Sequence, residues 1–364
     1  MRTLVAINPS KKNSMDFTEL GIVKFGEIDI LFGTVELEQP FFDAEDPKNH
    51  EYVLVRVTAF SCNYRDKAIL LENCNSIKGS ERLFVPFGSE FSANIVSVGK
   101  DVHEFKVGDS VMSDCSYPAS GKQGVLPGVA TNFASLGWLR LHKKKVIKIP
   151  KSLSDNEAAC FSLGSQTASA MIRRSGILES GGNPLVFSAR SHTSLFIIQQ
   201  LLSHGITPIC LSTSKWSDKE KQLIYPSRVE SLDSTTNDIV KQNITHVFDP
   251  FFDMNIGYAL YYLQTGGTYV TCGLRDQHPL LSNKTPIDAE AVVRGALEMS
   301  IVKNVSILGN CLGSREDLER AIQLQNSAET RIIIDQEYQL EDGVDFVQRS
   351  FFDSSRFGKC VLIY

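Results

Sequence analysis

Hydrophobic and polar positions follow two rhythms along this chain. Tyr52 to Ala59 (YVLVRVTA) alternates residue by residue, as a half-buried strand does. Asn94 to Met112 (NIVSVGKDVHEFKVGDSVM) reads as strand, Gly99 turn, short strand, Gly108-Asp109 turn and strand. Val146 to Pro150 (VIKIP) closes the region, and Gly, Pro and Asp break the pattern throughout. An all-β, barrel-like domain is expected up to Pro150.

After Ser154 the rhythm changes. Ser154-Asp-Asn-Glu157 has the form of a helix start, with an acidic residue three places after the serine. The stretch to Ser175 is small and apolar. From Leu185 strands and helices alternate, with strands at Leu185–Ser188, Thr207–Leu211, Thr245–Asp249, Gly267–Gly273 and Ser306–Leu308. Helices are expected at Leu195–His204 and Met254–Gln264. This alternation is that of a parallel sheet with helices on both faces. Asp335 to Tyr364 is strand-like again around an acidic helical interlude (Leu340–Arg349), and is expected to return to the first domain.

Asn183 to Gly205 (NPLVFSARSHTSLFIIQQLLSHG) orders strand, tight polar turn and helix as the first half of a βαβ nucleotide site does. Such a turn is usually Gly-x-Gly-x-x-Gly. Here it is Ala189-Arg190-Ser191-His192-Thr193-Ser194, without a glycine.

Composition narrows the classes. At 364 residues, with 42% hydrophobic and 22% charged positions, the chain suits a two-domain globular protein. A net charge of −5 argues against nucleic acid as a partner. No stretch approaches the about 18 apolar residues that span a bilayer, and the N-terminal residues lack a secretory apolar run. A cytoplasmic location is the default expectation. The 8 cysteines are dispersed with no Cys-x-x-Cys pair, as reduced thiols rather than disulfides or a zinc lobe.

Several stretches together resemble the medium-chain dehydrogenase/reductase superfamily. They are SCNYRD (Ser61–Asp66), PFGSEFSANIVSVGKDVHEFKVGDSVM (Pro86–Met112), LSDNEAACFSLGSQTA (Leu153–Ala168), HVFDPFFDMNIGYALYYLQTGGTYVTCGL (His246–Leu274), SREDLERAI (Ser314–Ile322) and FGKCVLIY (Phe357–Tyr364). The second is the most specific. The resemblance implies an α/β chain with a GroES-like β-barrel catalytic domain (1–153 and 327–364) and a Rossmann, doubly wound cofactor domain (154–326).

Zinc enzymes of that superfamily carry a metal-binding Cys three residues before the Asp of the first motif, where this chain has Asn63. They carry Gly-His-Glu where it has Gly88-Ser89-Glu90, and only Cys115 stands between Met112 and Trp138. Asn63-Tyr64-Arg65-Asp66 is similar instead to the zinc-free quinone oxidoreductase and enoyl reductase branch. That branch reduces activated carbon–carbon double bonds with NADPH and implies no metal.

On this resemblance Arg190, Ser191, His192, Thr193 and Ser194 form the phosphate turn, with helix capping as their plain structural alternative. Ser212, Ser214 and Lys215 follow the second strand and suit the 2′-phosphate of NADPH, no Asp or Glu standing there for the ribose of NADH. Gly273 borders the nicotinamide. Tyr64 is the candidate proton donor or enolate-orienting group, Asn63 the candidate donor to the substrate carbonyl, and Arg65 a partner for an acidic substrate or the ribose. Asn132, Phe133 and Trp138 fall where the family lines its substrate cleft, and Arg275 and His278 follow the nicotinamide strand. Family members pair sheet edges as dimers, so a homodimer through Ser306–Asn310 is expected. A non-catalytic binding or assembly protein and a carbonyl or imine reductase stand as alternatives.

Overall fold

The computed structural model describes residues 1–14, 16–231, 242–274 and 289–364, the side chains of 289–293 excepted. Strands β1 (Arg2–Ile7), β2 (Thr18–Phe25), β3 (Ile28–Glu36), β4 (Tyr52–Ser61), β5 (Phe84–Val85), β6 (Glu90–Val98), β7 (Ser110–Ser113), β8 (Trp138–His142) and β9 (Val146–Lys148) come first. Next are β10 (Pro184–Val186), β11 (Ile209–Ser212), β12 (Arg228–Ser231), β13 (Ile244–Asp249), β14 (Leu263–Thr271) and β15 (Ser306–Gly309). Last are β16 (Ile334–Tyr338) and β17 (Lys359–Ile363).

These strands make three sheets. An antiparallel sheet runs β2-β3-β1-β5, and a second sheet, antiparallel except for the parallel pair β16-β17, runs β16-β17-β4-β6-β7-β9 with β8 on β4. Together they enclose a core rich in phenylalanine, including Phe32, Phe60, Phe87, Phe91 and Phe346. The chain's final strands thus close the barrel begun at its start. Tyr52–Ser61 alternates in sequence, yet of its residues only Arg56 is exposed. Val53, Val55 and Val57 face the barrel core, while Ala59 packs against Ala159 and Cys160 from the crossing segment, so both faces of β4 are covered.

Two features of this region depart from the expected all-β pattern. No strand forms between β6 and β7, because Asp109 accepts from the Lys106 amide and Gly108 donates to Ile95, curling the segment into a turn. Helix α1 (Tyr64–Ser76) also interrupts the barrel. It starts at Asn63, whose amide donates to the Asp66 carboxylate at 2.8 Å in a reciprocal cap.

The third sheet is parallel throughout in the order β12-β11-β10-β13-β14-β15. Its order reverses direction between β10 and β13, and ligands of such sheets bind beyond the strand ends at that switch. Apolar clusters cover both faces: one around Phe196, Ile198 and Leu201, the other around Leu185, Leu260 and Tyr269. The crossing from barrel to sheet is made by α2 (Asp155–Ala158), capped by Ser154 and Glu157, α3 (Ser162–Ser175) and α4 (Ile177–Ser180). Helix α5 (His192–Ser203) then leads away from β10.

Candidate active site

Two adjoining cavities, of about 300 and 320 Å³, lie beyond the ends of β10, β11, β13 and β14, against the barrel. They share Tyr64, Ser191, Phe251 and Arg356 in their walls. The first also contains Asn63, Arg65, Thr193, Gly273 and Lys359, while the second contains Ser212, Thr213, Ser214 and Asn255. The edge of the Tyr64 ring meets Phe251 at a centroid distance of 5.0 Å where they join.

A buried polar network forms the floor of the first cavity. Glu90 is fully buried, and its carboxylate accepts from the Leu163 amide at 2.8 Å and the Ser61 hydroxyl at 3.3 Å. Lys359 Nζ lies 3.6 Å from that carboxylate and donates to Asn63 Oδ1. Asn63 Nδ2 donates to Ser89 at 3.2 Å. The two positions that the resemblance gives to metal ligands, 63 and 89, are therefore hydrogen-bonded to each other. Among the described residues no group of three or more His, Cys, Asp or Glu side chains is placed to hold a metal ion. Burial raises the Glu90 carboxyl above its ordinary range, while Lys359 and the surrounding donors pull it down.

The glycine-free turn adopts its shape in an unexpected way. Ser188 takes φ +47°, the left-handed conformation that glycine adopts freely. Ser191 caps α5, accepting from the Ser194 amide, and Ser194 donates to the Phe187 carbonyl at 2.9 Å. Arg190 lies in the wall of the second cavity, with its guanidinium engaged by protein atoms. It donates to the carbonyls of Lys215 (3.0 Å) and Ser355 (2.8 Å) and pairs with Glu220 at 2.8 Å. His192 is buried and reaches the Cys160 carbonyl at 2.5 Å, a contact that requires its Nε2 to carry the proton. Burial, with Lys359 and Arg356 nearby, pushes its pKa down to about 3, so it brings no charge to the turn. Gly164 makes room for this ring: a Cβ there would stand 3.0 Å from His192 Cδ2.

The structure thus gathers Asn63, Tyr64, Arg65, Ser191, His192, Thr193 and Gly273 at one cavity, and Arg190, Ser191, Ser212 and Ser214 at the other. The Ser212 hydroxyl donates to the Ser214 carbonyl and the Ser214 hydroxyl to that of Ser354. Lys215 is exposed and outside both walls. Arg65 holds Asp66 at 3.1 Å and Asn132 at 2.9 Å, tying the stretch after the barrel's long loop to the site. Phe133 and Trp138 line neither cavity. Arg275 and His278 lie outside the described residues.

Sequence reasoning missed Lys359, Arg356 and Phe251. Lys359 had a signal: it is the polar residue opening the apolar strand KCVLI, where a charge demands a partner. The other two carry no local pattern.

Residues 49–151 match the alcohol dehydrogenase GroES-like domain. An acryloyl-coenzyme A reductase of Sulfurisphaera tokodaii is 23% identical over 335 residues, 88% of this chain and 95% of that protein. A crotonyl-CoA carboxylase/reductase of Cereibacter sphaeroides is 28% identical over 202 residues, 51% of this chain and 46% of that protein. Among solved structures, the apo form of a 2-octenoyl-CoA carboxylase reductase from a Streptomyces species is similar at TM-score 0.71 and 17% identity, covering 100% of this chain and 87% of that one.

A GroES-like barrel joined to a Rossmann sheet, with a cleft at the switch point, defines a two-domain oxidoreductase. Its first domain carries the alcohol dehydrogenase GroES-like family match, and the chain as a whole is similar to medium-chain dehydrogenases/reductases, enoyl-thioester reductases among them.

Proposed function

We propose that this protein is a zinc-independent, NADPH-dependent reductase of a carbon–carbon double bond conjugated to a carbonyl, with an enoyl thioester as the preferred substrate class and enals and quinones as the wider one. The reading rests on one observation. Among the described residues Arg65, Arg356 and Lys359 line the first cavity and no carboxylate does, Glu90 lying beneath Lys359 rather than in the wall. Such a site favours a group that gains negative charge as it reacts, as the carbonyl oxygen of a conjugated system does on becoming an enolate. The names of the relatives point to the thioester.

The cleft fits a dinucleotide. Its two cavities meet at Ser191, the first turn of α5 leaves the His192 and Thr193 amides without helical partners, and Ser188 supplies the turn's left-handed residue. Ser191 and Thr193 would hold the diphosphate, Ser212 and Thr213 the adenosine end, and Gly273 would face the nicotinamide. No carboxylate stands among Thr213, Ser214 and Lys215 directly after β11 to repel a 2′-phosphate, and Asp353, the acid among the described residues of that cavity's wall, is held by Arg349 at 2.5 Å. NADPH supplies a hydride when bound.

The chain's own residues supply the rest. Lys359, fixed by Glu90 and Asn63, places positive charge at the cavity floor. The Tyr64 hydroxyl, which has no hydrogen-bond partner among the described residues, is free to deliver a proton to the substrate α-carbon. NADPH oxidation followed by absorbance with an enoyl thioester, an enal and a quinone tests the reading. Turnover of the thioester supports it; no turnover of any acceptor by folded protein counts against it.

The engagement of Arg190, Ser212 and Ser214 with protein atoms favours a second reading, a non-catalytic binding protein. Cofactor titration separates the two. We also propose a homodimer through β15, beside which Ile301 and Val302 are 75% and 78% exposed. Sedimentation at twice the chain mass is the expected result.

A further inference from the structure

Lys67 buries a charge beside the cleft without lining either cavity. It closes the first turn of α1, three residues after Tyr64, and with Asp66, Leu70 and Leu71 makes the buried side of that helix. Its exposure is 3%, an uncommon burial for a lysine, because an ammonium taken out of water loses its hydration. Three residues along a helix bring two side chains onto one face. The Lys67 ammonium accordingly stands over the Tyr64 ring, 5.5 Å from its centroid, and 5.9 Å from that of Phe352. A second cation, the Arg356 guanidinium, lies 5.5 Å from the same Tyr64 centroid. Two positive charges thus bear on one tyrosine, at the junction of the two cavities.

A cation over a neutral phenol gains only the modest attraction of the ring's electron-rich face. Over a phenolate it gains the attraction of opposite charges where water screens them poorly. The two cations therefore stabilise the state in which Tyr64 has given its proton away more than the state in which it keeps it. An interaction that grows as the proton leaves lowers the barrier to that transfer.

We infer that Lys67 is a positioning residue for Tyr64, holding a buried positive charge against its ring so that the hydroxyl gives its proton to the substrate. The inference rests on the reading that Tyr64 protonates the α-carbon. In that step the enolate's electron pair forms the new C–H bond, the Tyr64 O–H bond breaks, and its pair stays on the phenolate oxygen. Lys67 and Arg356 compensate that charge until water returns a proton. Because Lys67 lines neither cavity, its effect on the reaction passes through the tyrosine and not through contact with substrate.

Steady-state reduction of an enoyl thioester by the full chain, in H2O and in D2O, tests this. Lys67→Met keeps the buried stem and removes the charge. It should lower kcat by about 10-fold, leave KM within about twofold and raise the solvent isotope effect on kcat. Lys67→Gln carries the same expectation, and Lys67→Arg, which keeps the charge, should recover most of the rate. In a Tyr64→Phe background Lys67→Met should add no further loss, since the charge has no hydroxyl left to serve. Melting temperatures report folding of each variant. Wild-type kcat in folded Lys67→Met or Lys67→Gln overturns the inference, as does a fully additive loss in the double variant. An unchanged kcat in Tyr64→Phe, or no turnover by the wild type, instead removes the proton-donor reading and the inference with it.

Discussion

Lys359 donates to Asn63 beneath the cleft while its ammonium stands 3.6 Å from the fully buried Glu90. A charge pair this deep is costly to break from one side, because the survivor is left without compensation. Lys359→Met should therefore destabilise the protein by about 3 to 5 kcal/mol in chemical denaturation. The double variant Lys359→Met, Glu90→Gln should recover much of that. A double variant as unstable as the sum of its singles contradicts the pairing.

His192 gives a pH dependence with a definite sign. Its folded-state pKa is depressed to about 3 by burial from an ordinary 6.5, so the unfolded chain takes up this proton first. Stability from this group is complete above pH 6.5 and is lost as the pH falls toward 3, at a slope approaching about 1.4 kcal/mol per pH unit. His192→Gln keeps a donor for the Cys160 carbonyl and should flatten that slope between pH 6 and 4. Equal slopes in both proteins would show that His192 is not held neutral.

Ser191 acts as the N-cap of α5, with its hydroxyl bonded to Ser194 at 3.0 Å. Ser191→Gly should cost stability only a few tenths of a kcal/mol, since glycine is a tolerable cap. It should also tighten dinucleotide binding, because removing a Cβ lets the diphosphate approach. Weaker binding by the variant would mean that the hydroxyl itself contacts phosphate.

Tyr64→Phe keeps the ring against Phe251 and removes only the hydroxyl. With a proton-donating role, kcat for the thioester should fall about 100-fold while KM changes little. An unchanged kcat would assign the proton to water.

The alternating sheet was legible because helix and strand periods differ and several helix starts carry a serine cap, as at Ser154, Ser191 and Ser314. The seven-stranded barrel sheet was less so. β4 looks half-buried in sequence, but its second face is covered by Ala159 and Cys160, which come from far along the chain. α1 follows an Asn63–Asp66 cap that the barrel pattern masked. Asn63, Tyr64 and Arg65 were found through a motif and do meet at the cleft. Arg190 shows the limit: its place in the turn suggests phosphate, whereas its direction depends on Glu220 and Ser355, 30 and 165 residues away. Arg356 and Lys359 reach the site only because the last strand returns to the barrel.

The central claim is that a turn without glycine still cradles a dinucleotide, and titration of the purified protein with NADPH by calorimetry, paired with thermal unfolding, tests it most directly. The expected result is saturable binding of one NADPH per chain, weaker binding of NADH, and a melting temperature that climbs with NADPH concentration. Flat titrations and an unmoved melting temperature at millimolar NADPH would contradict it.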